Sequence, residues 1–247
     1  MSLRVVLFDL FGTVVHFAPR GPRVEGASSG WRAAMGWLRT AAEHDLPHIP
    51  FDDLLAALLQ VSDDLVRQRP PEYLEVPSRE RFRRALLRFD VDAATAATVA
   101  ERLSLAHMAY LASTTHLPAG HGAVLQTLAA RYRLGLISNF DHGPTARRVL
   151  ADHGLDRRFD AVVISDGFGR RKPHPAIFEA ALRDLGVPAA QAVYVGDSVA
   201  DDLVGATNAQ LAMVWINPKG EALPPDAPRP RAVIRGLDEL PAVLAQW

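Results

Sequence analysis

Five short runs in this chain, "RVVLFD", "LGLIS", "AVVIS", "AVYVG" and "LAMVWI", are mostly apolar, and all but the first lie beyond residue 118. Segments of helical length separate most of them. A strand with one wet face alternates apolar and polar residues, so runs without alternation belong to strands buried on both faces. Such strands pair in parallel, because the intervening helix carries the chain back over one face of the sheet. The pattern predicts an α/β chain, a Rossmann-like, doubly wound parallel sheet with helices on its faces. Ligands of such sheets bind beyond the carboxyl ends of the strands.

The stretch from about residue 30 to 115 has a different period. Phe51, Leu54, Leu55, Leu58, Leu59 and Leu65 recur at the spacing that gathers them on one face of a helix, with Asp52, Asp53 and Gln60 opposite. Similar patterns run through "SGWRAAMGWLRTAAEH", "SRERFRRALLRF" and "AATAATVAERLSLAHMAYL", and Pro47, Pro50, Pro70, Pro71 and Pro77 separate them. A bundle of about four helices is expected, inserted between the first strand and the rest. The core would then comprise residues 1–17 and 117–247, and the helical domain 18–116, with hinges in "APRGPRVEGASSG" and near "STTHLPAGHG".

Composition narrows the chemistry. The 247 residues contain no cysteine, which removes disulfides, thiolate metal sites and Cys nucleophiles together. A formal net charge of -1 provides no global basic field for nucleic acid or an anionic membrane, so small molecules are the expected partners, and the Arg-rich helical stretch makes anionic ones the expectation. "MSLRVVLFDLF" is too short an apolar run for a signal-peptide core, and no run reaches the roughly 18 to 20 apolar residues that span a bilayer. A cytoplasmic protein is expected. The chain has no G-x-x-x-x-G-K-[ST] loop, no G-x-G-x-x-G after a strand and no H-E-x-x-H. The basic run in "GRRKP" reads as solvated.

What stands at the strand ends is more telling. "RVVLFD" ends in Asp9, "LGLIS" in Ser138 followed by Asn139, and "AVYVG" is followed by Asp197 and Ser198; Lys172 lies after the loop that follows "AVVIS", and Asp202 stands a little beyond Asp197. Singly, each has a structural explanation. Asp9 before Gly12 and Thr13 reads equally as a turn aspartate, Ser138 and Asn139 as a cap, and the acidic residues near 200 as partners of a helix N-terminus. Lys172 stands out because it and Lys219 are the only lysines, leaving 25 of the 27 basic residues as Arg. A compact ammonium between Arg171 and Pro173 suggests a site that wants a point charge.

Taken in order, "FDLFGTV", "LISN", "KPHPAIFEAAL" and "YVGDSVADDLVGA" resemble the four motifs of the haloacid dehalogenase-like hydrolase superfamily, and the helical insertion stands where one subfamily carries its cap. The resemblance implies a phosphatase with Asp9 as nucleophile, Ser138 and the backbone amide of Asn139 binding the transferred group, and Lys172 neutralising charge. It also implies magnesium held by Asp9, the backbone carbonyl of Phe11 and Asp197, with Asp202 in support. One position departs from the pattern. Phe11 replaces the Asp that in such phosphatases protonates the leaving oxygen and later activates water. A phosphatase using a good leaving group or another acid (Asp141, His142 or His16 by proximity), a 2-haloacid dehalogenase and a catalytically weakened binding protein are the three readings this leaves. The absence of any lysine before Lys172 argues against the phosphonate-cleaving relatives, which need one in the cap.

Overall fold

The computed structural model describes residues 2–18 and 29–247. Most of "APRGPRVEGASSG", where one hinge is expected, lies outside the described residues. The chain divides into two compact units. The first runs to Phe17, takes in Pro71–Glu75 and resumes from His116 to Trp247, while the second is formed from residues up to Pro70 and from Val76 to Thr115.

Six parallel strands make the sheet of the first unit: β1 (Val5–Phe8), β4 (Arg133–Ser138), β5 (Ala161–Ile164), β6 (Ala192–Gly196), β7 (Ala212–Ile216) and β8 (Ala232–Ile234), in the order β5-β4-β1-β6-β7-β8. Two two-residue strands, β2 (His16–Phe17) and β3 (Thr115–His116), pair separately. β1 lies between β4 and β6, with Val6 opposite Leu134 on one side and Val193 on the other. After β1 the chain first builds outward to β5 and then restarts at β6, so strand order reverses at β1. The crevice at this reversal is where an open parallel sheet places its ligands. All four residues of β1 are fully buried, as an unalternating apolar run requires.

In the second unit the described residues form four helices, α1 (Ser29–Asp45), α2 (Phe51–Gln68), α3 (Ser78–Leu86) and α4 (Ala93–Ser113), where about four are expected. Asp92 starts α4 by accepting the amides of Ala94 and Thr95 at 3.0 Å. Phe51, Leu54, Ala57, Leu58 and Val61 of α2 are buried with Leu38, Phe82, Leu86 and Leu103. The stripe is narrower than the sequence suggested. Leu55 and Leu65 lie at its margin, and Leu59 is 37% exposed, because residues one step round from 51, 54, 58 and 61 turn past the core.

The first unit also holds α5 (His121–Ala129), α6 (Gly143–Asp152), the single turn α7 (Ser165–Phe168), α8 (Pro175–Asp184), α9 (Val204–Asn208) and α10 (Leu240–Leu244). Ile177, Phe178 and Ala181 of α8 and Leu203 and Ala206 near α9 pack with Leu7, Ile137 and Tyr194 of the sheet. Among the described residues no helix is long and apolar enough to cross a membrane.

Candidate active site

The residues singled out at the strand ends meet at the reversal point. Asp9 follows β1 directly, its backbone amide donating to the carbonyl of Val195 on β6 at 2.9 Å. Lys172, 2% exposed, reaches up from the turn before α8. Its Nζ donates to Asp9 Oδ1 at 2.6 Å, Asp202 Oδ1 at 2.6 Å, the Tyr194 hydroxyl at 2.8 Å and the Ile137 carbonyl at 3.3 Å. Carboxylate oxygens of Asp9, Asp197 and Asp202 lie within 4.8 Å of one another, and among the described residues no other group of three acidic or imidazole side chains does.

Backbone geometry makes this convergence possible. Gly12 has φ +98°, and a Cβ there would fall 2.5 Å from Asp197 Oδ2, so the loop after Asp9 reaches the acidic cluster because it has no side chain at that point. Thr13 adds a long hydroxyl contact to Asp197 Oδ1 at 3.4 Å, and Trp215 Nε1 donates to the Asp197 carbonyl at 2.9 Å. Asp202 is turned inward by a wide π-type turn, Val199–Leu203, in which the amide of Leu203 bonds the carbonyl of Ser198. The Ser198 amide then donates to Asp202 Oδ2 at 2.9 Å.

Ser138 and Asn139 take different places. The Ser138 hydroxyl is fully buried and has no hydrogen-bond partner among the described residues. The Asn139 side chain clamps the Lys172 backbone, Oδ1 accepting its amide at 2.8 Å and Nδ2 donating to its carbonyl at 3.0 Å. Phe11 is stacked on Phe17 at 4.9 Å between ring centroids and tilted against Phe140 at 4.8 Å, so aromatic rings fill the position of the absent acid. Of the substitute acids, His142 is engaged as the cap of α6, its Nδ1 2.8 Å from Thr145 Oγ1. The His16 ring lies edge-on to His116 and His121, and burial, with those two neighbours, lowers its pKa.

Two further side chains join the site, neither given a role in it by the sequence alone. Tyr194 bonds both Lys172 and, at 3.0 Å, Asp202 Oδ1, and Thr13 touches Asp197. A tyrosine inside a strand buried on both faces needs a partner for its hydroxyl, and that was the signal available.

The electrostatics follow from one ammonium among three carboxylates. Burial opposes charge on Lys172, but Asp202 and Asp9 outweigh it and hold the ammonium above its ordinary range. Burial raises Asp9 to about 8; Lys172 opposes the shift, while Asp202 and Asp197 add to it. Asp197 is raised to about 6, chiefly by burial and then by Asp202. Desolvation and like charge thus both disfavour full ionisation of three carboxylates around one ammonium.

A model of the haloacid dehalogenase-like hydrolase family matches residues 3–210. The chain belongs to this family. Haloacid dehalogenase-like relatives include the phosphoglycolate phosphatase of Rhodospirillum rubrum, 38% identical over 207 residues that make up 80% of this chain and 73% of that protein. The N-acylneuraminate-9-phosphatase of Mus musculus is 37% identical over 123 residues, 49% of either chain. The chain thus matches about half the length of that curated relative. Among solved structures, a 2-haloacid dehalogenase from Pseudomonas syringae pv. Tomato DC3000 superposes with a TM-score of 0.77 at 28% identity, covering 99% of both chains.

The raised acids make a checkable statement about stability. Both hold protons more tightly when folded than in the unfolded chain, where they titrate near 3.8, so the metal-free fold loses stability as pH rises from about 4 to about 8. Asp9→Asn keeps the volume and removes the buried charge. In EDTA at pH 8 it should melt a few degrees above the parent while hydrolytic turnover is lost. Differential scanning calorimetry with an activity assay checks both halves; a lower melting temperature would assign Asp9 a capping role instead.

Proposed function

We propose that the protein is a magnesium-dependent phosphatase of a small phosphorylated metabolite, working through an aspartyl-phosphate on Asp9. The observation that carries this reading is the convergence of Asp9, Asp197 and Asp202 around one lysine at the sheet's reversal point. Phosphatases among the relatives support the reaction class. The residues fit magnesium on their own chemistry. All the donors are oxygens, three carboxylates surround a single ammonium, and the buried hydroxyl of Ser138, at the end of β4, has no hydrogen-bond partner among the described residues. Asp9, the Phe11 carbonyl and Asp197 would hold the ion, with Asp202 behind them. When bound, magnesium neutralises the repulsion between phosphate and carboxylate.

In this reading Asp9 attacks phosphorus as the ester P–O bond breaks, and water later displaces phosphate and regenerates the carboxylate. Lys172 remains protonated and stabilises the charge on the transferred oxygens, as do the Ser138 hydroxyl and the Asn139 amide. Asp202 and Tyr194 orient the ammonium. The core is assigned to residues 1–17 and 117–247 and the substrate-choosing cap to 18–116, with Pro71–Glu75 packing as part of the core. Nothing at position 11 protonates the leaving group, so the reading requires a leaving group of low basicity or an acid brought by the substrate. The same position supports the second reading, a 2-haloacid dehalogenase, because halide leaves without a proton and an aromatic is tolerated there. The likeness to a solved 2-haloacid dehalogenase supports it too. Dehalogenases of this superfamily work without metal, and the full acidic cluster favours the phosphatase.

Hydrolysis of p-nitrophenyl phosphate should require magnesium and cease in EDTA. Metal-independent release of chloride from 2-chloropropionate, without phosphatase activity, would replace the first reading by the second. Asp197→Asn should weaken magnesium binding on the order of tenfold or more by titration calorimetry, since a charged ligand is lost. Phe11→Asp tests the missing acid: hydrolysis of an alkyl phosphate should rise by about 10² to 10⁴, whereas p-nitrophenyl phosphate, whose leaving group needs no proton, should gain less. The melting temperature is measured alongside, because the change opens the aromatic stack with Phe17 and Phe140. A folded, magnesium-binding variant with no gain on either ester would show that position 11 is no vacancy.

A further inference from the structure

Lys172 ends the run Gly169, Arg170, Arg171, Lys172, and the backbone of that run is gripped from two sides. Asn139 holds Lys172 itself. The other grip comes from Pro71–Glu75, in the middle of the helical insertion of the sequence but packed within the first unit. There Tyr73 accepts the Arg171 amide at 2.9 Å, the Glu75 amide donates to Gly169 at 3.0 Å, and Leu74 faces Arg170 in an antiparallel bridge. The Glu75 side chain, 3% exposed, accepts from Arg171 Nη1 at 3.0 and 3.2 Å and from the Ser165 hydroxyl. Ser165 Oγ in turn accepts the amide of Phe140 at 2.9 Å, one residue beyond Asn139. One buried carboxylate therefore ties the chain just beyond Ser138 and Asn139 to the run that carries Lys172.

We propose that Glu75 is a positioning residue for the reaction, fixing the base of Lys172 and the loop after β4 in one register. A lysine stem has four flexible carbons, so its tip stays 2.6 Å from both Asp9 and Asp202 only while its backbone is held. A displacement of about 1 Å at such a group can cost on the order of 10²-fold in rate. Arg171 passes the constraint to Lys172 through the chain, and Ser165 passes it to Phe140 through the amide. The inference rests on the assignment of Asp9 and Lys172 as the reacting pair, which the phosphatase and dehalogenase readings share.

Glu75→Gln keeps the shape and loses the charge that holds Arg171. In p-nitrophenyl phosphate hydrolysis with magnesium, kcat should fall about 10- to 100-fold while KM stays within about threefold, the split expected when only transition-state stabilisation is lost. Orthovanadate, which mimics the transferred group in its transition-state geometry, should bind the variant correspondingly more weakly, with inorganic phosphate little affected. Glu75→Gln should weaken vanadate no further when Lys172 is already Ala, because the two act through one group. Additive losses, or an unchanged kcat with only a lower melting temperature, would overturn the proposal and leave Glu75 as a structural tie. Should Glu75→Gln fail to fold, Ser165→Ala removes one arm and keeps the ion pair, and kcat should still fall about tenfold; no fall overturns the proposal. A parent that neither hydrolyses the ester nor binds vanadate would instead sink the phosphatase reading. The variants are then compared on chloride release from 2-chloropropionate, with the same kcat and KM expectations.

Discussion

Everything at the sheet's reversal point is arranged around one buried ammonium. Removing Lys172 from water costs several kcal/mol unless acceptors replace its hydration shell, and Asp9, Asp202, the Tyr194 hydroxyl and the Ile137 carbonyl supply them. Those acceptors come from the residue after β1, from β4 and β6, and from the turn beyond β6, so the charge is compensated only when the central strands are in register. The same arrangement creates the cluster's excess of negative charge, because a third carboxylate, Asp197, joins the two that already face this ammonium. The local demand for a cation and the stability of the central sheet are therefore coupled through a single side chain.

Much of this could be read in the sequence, and the reason is physical. Parallel strands buried on both faces leave continuous apolar runs, so β1, β4, β5, β6 and β7 stand out and the polar residues that end them are conspicuous. Asp9, Ser138, Lys172, Asp197 and Asp202 were visible for that reason, and the scarcity of lysine drew attention to Lys172. The short strands β2, β3 and β8, of two or three residues, leave no periodicity to find.

What the sequence hid depends on contacts between distant segments. Tyr194 reads as an ordinary strand former until its hydroxyl is seen against Lys172 and Asp202. Glu75 sits 96 residues before Arg171, in a stretch that reads as part of the helical insertion, and nothing local marks its packing with the first unit. Asn139 was expected to offer its backbone amide; its side chain has the further task of holding the Lys172 backbone. Phe11, legible as a missing acid, is also one layer of an aromatic stack whose other layers, Phe17 and Phe140, come from separate parts of the chain.

The π-type turn that carries Asp202 makes this stretch unusually sensitive to length. Two of its amides reach back five residues, Leu203 to Ser198 and Val204 to Val199, where an ordinary helix reaches back four, and the Asp202 amide shares the Ser198 carbonyl at 2.9 Å. Removing one residue between Ser198 and Asp202 would let the turn tighten to α-helical spacing, and each residue of an α-helix rotates its side chain by about 100°. Asp202 would then swing away from Lys172 although neither residue had been changed. The interval between Asp197 and Asp202 is thus as much a part of the cluster as the two carboxylates, and an insertion or deletion there would break the cluster up as surely as a substitution.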